Sequence, residues 1–219
     1  MRIVITVLSL LVLVAGISAA APEERALCAV CVLNGESEPE KVVASRAYNG
    51  VTQHFCSEKC AGAFDLDPAA YVFAPGPAPK AAFVSLSGDS LEIGAAGRVT
   101  LVDFWATWCK PCVKSMPALD ALHREFRERG ADVVGVAIDT GRDRAKKVRK
   151  FAEKNGAGYP IALDREEAPM WEAYRVKVLP TVFLIDRDGT IVKRWTGEVD
   201  VEDVRSSLEA LLREGEPVE

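Results

Sequence analysis

Histidine is scarce in this chain: there are two in 219 residues, His54 and His123. Positive charge is not in excess either. The net charge is −5, and no run of lysine and arginine is interleaved with aromatics. That removes the electrostatic footprint of a nucleic-acid binder. There is no internal repeat. Long apolar runs are confined to the first twenty residues. What remains is ordinary for a globular protein, with 49% hydrophobic and 27% charged residues. The length suits one or two domains with a sizeable core. Six cysteines carry the chemistry, and they fall in two groups.

The N-terminus differs in kind. Arg2 is a short basic start, Ile3 to Ile17 is almost wholly apolar, and Ser18 to Ala21 supplies small residues. This is the pattern of a secretory signal peptide over residues 1–21, cleaved near Ala20 or Ala21. The alternative is an uncleaved membrane anchor, because the run is near the lower limit for crossing a bilayer. Cys28 is not preceded by a small residue, which argues against a lipoprotein anchor. On either reading the rest of the chain is exported, to the periplasm or another extracytoplasmic space. There a reactive dithiol stays oxidised unless a donor feeds it electrons.

Trp108-Cys-Lys-Pro-Cys112 is the most informative stretch. The apolar run Val99 to Phe104 predicts a buried strand before it, and Lys110 to Arg129 predicts a helix after it, kinked at Pro117. Cys109 then sits at a helix N-terminus, where unpaired N–H groups and the helix dipole favour a thiolate. Lys110 adds positive charge. Cys109 is the expected attacking thiol, with Cys112 resolving the mixed disulfide. A bare Cys-x-x-Cys is also compatible with half a zinc site or a structural bridge.

The chain divides after the signal. Residues 22–73 hold four cysteines. Ala74 to Lys80 alternates proline with small residues and predicts an extended linker unable to join a sheet or a helix. Residues 81–215 alternate strands and helices. Short strands are expected at Phe83–Leu86 and Leu91–Ile93, a strand at Asp132–Ile138, a charged helix at Arg142–Asn155 stopped by Gly156, and an extended Tyr159–Leu163. A short helix at Glu166–Tyr174 precedes strands at Thr181–Ile185 and Thr190–Trp195 around the Asp188-Gly189 turn, and Val201–Arg213 closes as an amphipathic helix. The expected fold is α/β, a mixed sheet covered on both faces.

Asp103 to Cys112, then Met116-Pro117, then Val178-Leu-Pro-Thr-Val-Phe-Leu-Ile-Asp186 together resemble the thioredoxin fold. Their wording is most similar to its TlpA/ResA-like branch of exported thiol–disulfide oxidoreductases. The resemblance implies a cis Pro180 beside the dithiol, freeing the preceding backbone to pair with an extended substrate. It implies that Asp103 is the buried acid under Cys112; in an apolar site its pKa should be raised, and it would shuttle the Cys112 proton. Many exported relatives carry another residue there. Trp105 and Trp108 are expected to pack beside the dithiol. The branch mostly reduces, so client proteins with disulfides are the expected partners, with a membrane or exported electron donor.

In front, Cys28-Ala-Val-Cys31 and Cys56-Ser-Glu-Lys-Cys60 form two close pairs. Four such thiolates can hold a tetrahedral ion, and two disulfides are the alternative. Tyr48 to Cys60, then Phe64, Asp67-Pro68 and Tyr71 resemble a YHS or TRASH-like domain. That implies zinc or copper at Cys28, Cys31, Cys56 and Cys60. The match departs at Gln53-His54; His54 is either an extra ligand or a solvent-facing strand residue. His123 is expected on the charged face of its helix.

The leading expectation is an exported disulfide reductase acting in metalloprotein maturation, of a cytochrome or a copper site. The alternative is a metal-binding or copper-delivery protein without turnover. It is weakened because copper carriers of related fold use a wider cysteine spacing and a distant histidine, and no histidine follows His123. A peroxidase would want a different setting around its cysteine and a more distant resolving partner.

Overall fold

The computed structural model describes residues 23–93 and 97–213. The expected signal peptide lies outside them. Among the described residues, no helix is long and apolar enough to cross a membrane.

The front unit is small. Strands β1 (Arg25–Ala26) and β2 (Glu40–Lys41) pair, and β3 (Ala44–Tyr48) and β4 (Val51–Phe55) form a hairpin. Asn49 and Gly50 turn that hairpin, both with positive φ, as a two-residue primed turn requires. Helix α1 (Glu58–Leu66) starts on Ser57, whose side chain accepts from the Cys60 N–H. It is followed by α2 (Pro68–Tyr71). Phe55, Phe64 and Ala61 make a miniature core that Tyr48 and Tyr71 close. So small a core needs other support.

The rest is built on one mixed sheet. In chain order come β5 (Gly76–Pro77), β6 (Ala81–Val84), β7 (Ser90–Ile93), β8 (Val99–Trp105), α3 (Lys110–Phe126), β9 (Ala131–Ala137), α4 (Arg144–Lys154), β10 (Ile161–Leu163), α5 (Met170–Ala173), β11 (Thr181–Ile185), β12 (Thr190–Thr196) and α6 (Val201–Arg213). The main sheet has the order β10-β9-β8-β11-β12-β5, and β6 and β7 form a separate two-stranded pair. The β10–β9 and β9–β8 pairs are parallel, and the remainder antiparallel. Gly189 has positive φ in the β11–β12 turn, and Asp186 accepts the Asp188 and Thr190 amides there.

Alternation sorts the core into two faces. Leu101 and Trp105, Val133 and Ala137, and Val182 and Leu184 meet α3 and α6 residues such as Met116, Leu122, Val204 and Leu208. Val102 and Phe104, Val134 and Val136, and Phe183 and Ile185 meet Phe83, Met170, Tyr174 and Val176. Buried on both sides, β8 reads as a continuous apolar run for that reason.

Three expectations are corrected. The proline-rich linker does join the sheet: Gly76 and Pro77 pair with Ile191 and Thr190, and the Ala78 N–H donates to the Gly189 carbonyl at 2.8 Å. Proline is tolerated because β5 is an edge strand, where a missing N–H faces no neighbour. His123 does not lie on the exposed face of α3. It is buried, and its Nδ1 has no partner. The expected helix at Glu166–Tyr174 shortens to Met170–Ala173, with Pro169 at its N-cap.

Candidate active site

The dithiol stands where β8 hands over to α3. Cys109 is the N-cap of α3, and its sulfur accepts the Cys112 N–H at 3.3 Å. Cys109 and Cys112 are joined as a disulfide. Pro111 falls in the first turn, where a helix needs no N–H. A sulfur in this position is aimed at by free amides and by the positive end of the helix dipole, so its thiolate is favoured once the bridge opens. The two sulfurs are not equivalent. Cys109 lines an open groove of about 600 Å³, and Cys112 does not. The other walls are Trp108, Lys110, Pro111, Ile138, Trp171 and the segment Val176 to Leu179. Trp108 is 65% exposed and flanks the groove, whereas Trp105 is fully buried in the core.

The Leu179–Pro180 peptide is cis, as the resemblance implied. It ends the segment that walls the groove.

Asp103 lies on the same face of β8 as Leu101 and Trp105, the face that packs against α3. It is 1% exposed. Burial pushes its carboxyl up from 3.8 to about 7, against the hydrogen bond from the Tyr159 hydroxyl, which lowers it. Its second oxygen, Oδ1, is buried without a partner.

Two aspartates that the sequence reading missed hold the site's loops. Asp139 follows β9; it accepts the Thr107 N–H at 2.8 Å, the Thr107 hydroxyl and the Lys147 ammonium. It therefore fixes the loop that delivers Trp108 and Cys109. Asp164 follows β10 and accepts the Met170 and Trp171 amides, which sets Trp171 into the groove wall. An aspartate just past each apolar strand, at the carboxyl ends of parallel strands, is the signal that marks both.

In the front unit Cys28, Cys31, Cys56 and Cys60 converge, and none is in a disulfide. All four sulfurs lie within 4.8 Å of one another. The pairs Cys31–Cys56, Cys31–Cys60 and Cys56–Cys60 are 3.6, 3.7 and 3.8 Å apart. Four sulfurs at about 2.3 Å from a tetrahedral zinc are about 3.8 Å from each other. The donor set thus fits such an ion, and the spacings are far from those of bonded sulfurs. Burial raises the Cys28 thiol, but the backbone amides of Cys56, Cys31 and Val30 bring it down to about 7. Burial and then the neighbouring Cys28 push Cys31 up to about 12. A cation is what lets such a crowd ionise together. His54 is outside the cluster: its Nδ1 is 3.1 Å from the Ser45 hydroxyl on the neighbouring strand.

A cysteine pair capping the helix after a central strand, with a cis-proline loop beside it, defines a thioredoxin-fold redox domain. The Redoxin family matches residues 75–212. The chain belongs to that family. It is 37% identical over 115 residues to the thiol-disulfide oxidoreductase ResA of Geobacillus thermodenitrificans, covering 52% of this chain and 64% of that one. It is 34% identical over 135 residues to the ResA of Geobacillus kaustophilus, covering 61% and 75%. The chain therefore spans just under two thirds of the first relative and three quarters of the second. A solved structure assigned as the thiol:disulfide interchange protein DsbE of Chlorobium tepidum matches with a TM-score of 0.56 and 30% identity, covering 62% of this chain and 95% of that one. Residues 75–212 are thus a TlpA/ResA-like thiol–disulfide oxidoreductase domain. The four-cysteine unit precedes the matched residues.

Proposed function

We propose that this protein is exported and reduces disulfides in client proteins through Cys109 and Cys112, in the service of metalloprotein maturation. The observation that carries this reading is the Cys109–Cys112 bridge at the N-terminus of α3, with Cys109 alone reaching an apolar groove. In the reduced protein the Cys109 thiolate attacks a client disulfide. The client S–S bond breaks, one client sulfur leaves as a thiolate, and a Cys109–client disulfide forms. Asp103 takes the proton of Cys112, whose thiolate then attacks the Cys109 sulfur. The second client thiolate leaves, and the Cys109–Cys112 disulfide is the product. Two electrons pass to the client, and an exported or membrane dithiol restores them. Apolar walls suit an extended client segment lying beside Pro180.

The front unit holds a structural or sensing metal in this reading. Cys28, Cys31, Cys56 and Cys60 would bind it, and zinc suits four thiolates at these spacings. Bound there, the ion would supply folding free energy to a unit with little core. The apolar N-terminal run supports export.

The test is reduction of insulin and of disulfide-bonded metalloprotein clients by the full chain and by Cys109→Ser, with a dithiol donor. Wild type should turn over and the variant should not. Equal rates would end the proposal and leave metal binding as the activity.

A further inference from the structure

We infer that Tyr159 is a positioning residue for the dithiol chemistry, holding the Asp103 carboxyl by one oxygen so that the other is free to take the Cys112 proton, and that Gly135 is the gap through which it reaches. The inference rests on the role proposed above for Asp103.

The sheet register carries it. Asp103 on β8 is paired with Gly135 on β9, and Gly135 in turn is paired with Ile161 on β10. Tyr159 enters from the segment just before β10, beyond β9 as seen from Asp103. For its hydroxyl to reach β8, the ring must cross over position 135. A Cβ there would lie 2.9 Å from the Tyr159 ring, 2.9 Å from Trp105 Nε1 and 3.3 Å from Ile161. Any side chain would occupy the space the tyrosine uses. The Gly135 φ is not positive, so clearance and not backbone freedom is what glycine supplies here. The tyrosine arrives with its hydroxyl 3.0 Å from Asp103 Oδ2, inside the core.

The contact is one-sided. Oδ2 is held; Oδ1, equally buried, has no partner. A carboxyl fixed by one oxygen cannot spin, so its free oxygen keeps a constant aim. Of the ionisable groups around the pair, α3 contributes Asp120, whose charge further raises the already buried Tyr159 hydroxyl. β9 contributes none opposite Asp103, since Gly135 stands there. His123 shares with Tyr159 the polar cavity behind the sheet, which Arg127, Arg149, Asp132, Asp89 and Glu153 also line.

The test uses the full-length oxidised protein and carbon NMR of the Asp103 carboxyl. Tyr159→Phe removes only the hydroxyl, which stabilises the ionised carboxylate. The Asp103 midpoint should rise by about one pH unit. In single-turnover reduction of a small disulfide, resolution by Cys112 should shift its acid limb upward equally and slow about fivefold at pH 7, as the ionised fraction drops from about one half to one eleventh. In the unaltered protein the Tyr159 ring carbons should titrate with the Asp103 midpoint, a readout that needs no variant. An Asp103 midpoint unmoved by Tyr159→Phe, or a Tyr159 signal flat through it, overturns the inference. Asp103→Asn separates the two claims: an acid limb that survives it removes the proton-shuttle reading of Asp103, whereas the NMR shifts report the Tyr159 contact alone.

Discussion

Replacing Asp103 by asparagine should stabilise the oxidised protein, and only above mildly acidic pH. The carboxyl titrates at about 7 in the folded chain against 3.8 when free, chiefly because burial penalises its charge. Between those values the unfolded chain releases the proton and the folded chain keeps it. The folded state then binds more protons, so stability falls as pH rises through that window. One step in pKa is worth about 1.4 kcal/mol, and the window spans about three, which gives about 4 kcal/mol as an upper figure. Below pH 4 both states are protonated and the penalty is absent. Above pH 7 both are ionised and the penalty is complete.

Asparagine keeps the shape and an acceptor for the Tyr159 hydroxyl but has no charge to bury. Urea unfolding of both proteins at half-unit steps from pH 4 to pH 8 measures the difference directly. The variant's advantage should climb from its acid baseline through pH 5 and 6 and level off above 7. Every other ionisable group is common to both proteins and cancels in the comparison. A difference that stays level across the whole range would refute the claim that this carboxyl is buried and ionises reluctantly.

Three further outcomes follow from other contacts. The full chain should carry one zinc ion, and Cys60→Ser should lose it while Cys112→Ser keeps it; metal analysis after gel filtration decides, and zinc retained by Cys60→Ser would exclude the four-thiolate site. Asp139→Ala removes the acceptor that fixes Thr107 by both its N–H and its hydroxyl, and should cost about 2 kcal/mol or more in urea unfolding while slowing reaction with a small disulfide; unchanged values in both would sink the anchoring role. Arg194 donates to the carbonyls of Ala70 and Tyr71, so Arg194→Ala should open residues 67–73 to limited proteolysis, and a digestion pattern identical to wild type would count against that anchor.

The parts of this fold legible in the sequence are those set by local pattern. β8, β9 and β11 are buried on both faces, so they are mostly apolar, with Asp103 the buried charge-bearing exception in β8. Asp188-Gly189 and Asn49-Gly50 turn hairpins because Gly189, Asn49 and Gly50 accept positive φ; the second carries as strong a signal as the first. The dithiol was legible because a helix N-cap and its first turn are local. What escaped depends on partners distant in sequence. Pro77 joins a sheet only because β12 is there to pair with it. Asp139 reaches back 32 residues to Thr107. His123 looks polar among charged neighbours, yet α3 turns it inward. Tyr159 reads as an aromatic beside a strand, and its 56-residue reach to Asp103 shows only when β8, β9 and β10 are laid side by side.

The front unit and the dithiol groove are not independent neighbours. α1 begins two residues before Cys60 and ends at Leu66, and the next residue, Asp67, accepts from Arg175 and pairs with Lys177 at 3.4 Å. Lys177 is itself a wall of the groove, as are Val178 and Leu179, which lead into Pro180. Arg175 holds a positive φ that a non-glycine residue adopts only at some cost. The carboxylate of Asp67 is therefore anchored at one end of a helix that carries a cluster cysteine, and at the other to the segment lining the groove. These ion pairs are part-exposed, so each is worth about 1 kcal/mol or less by itself. Their consequence is geometric. The end of α1, the helix that carries Cys60, and the position of the groove wall are linked by one side chain.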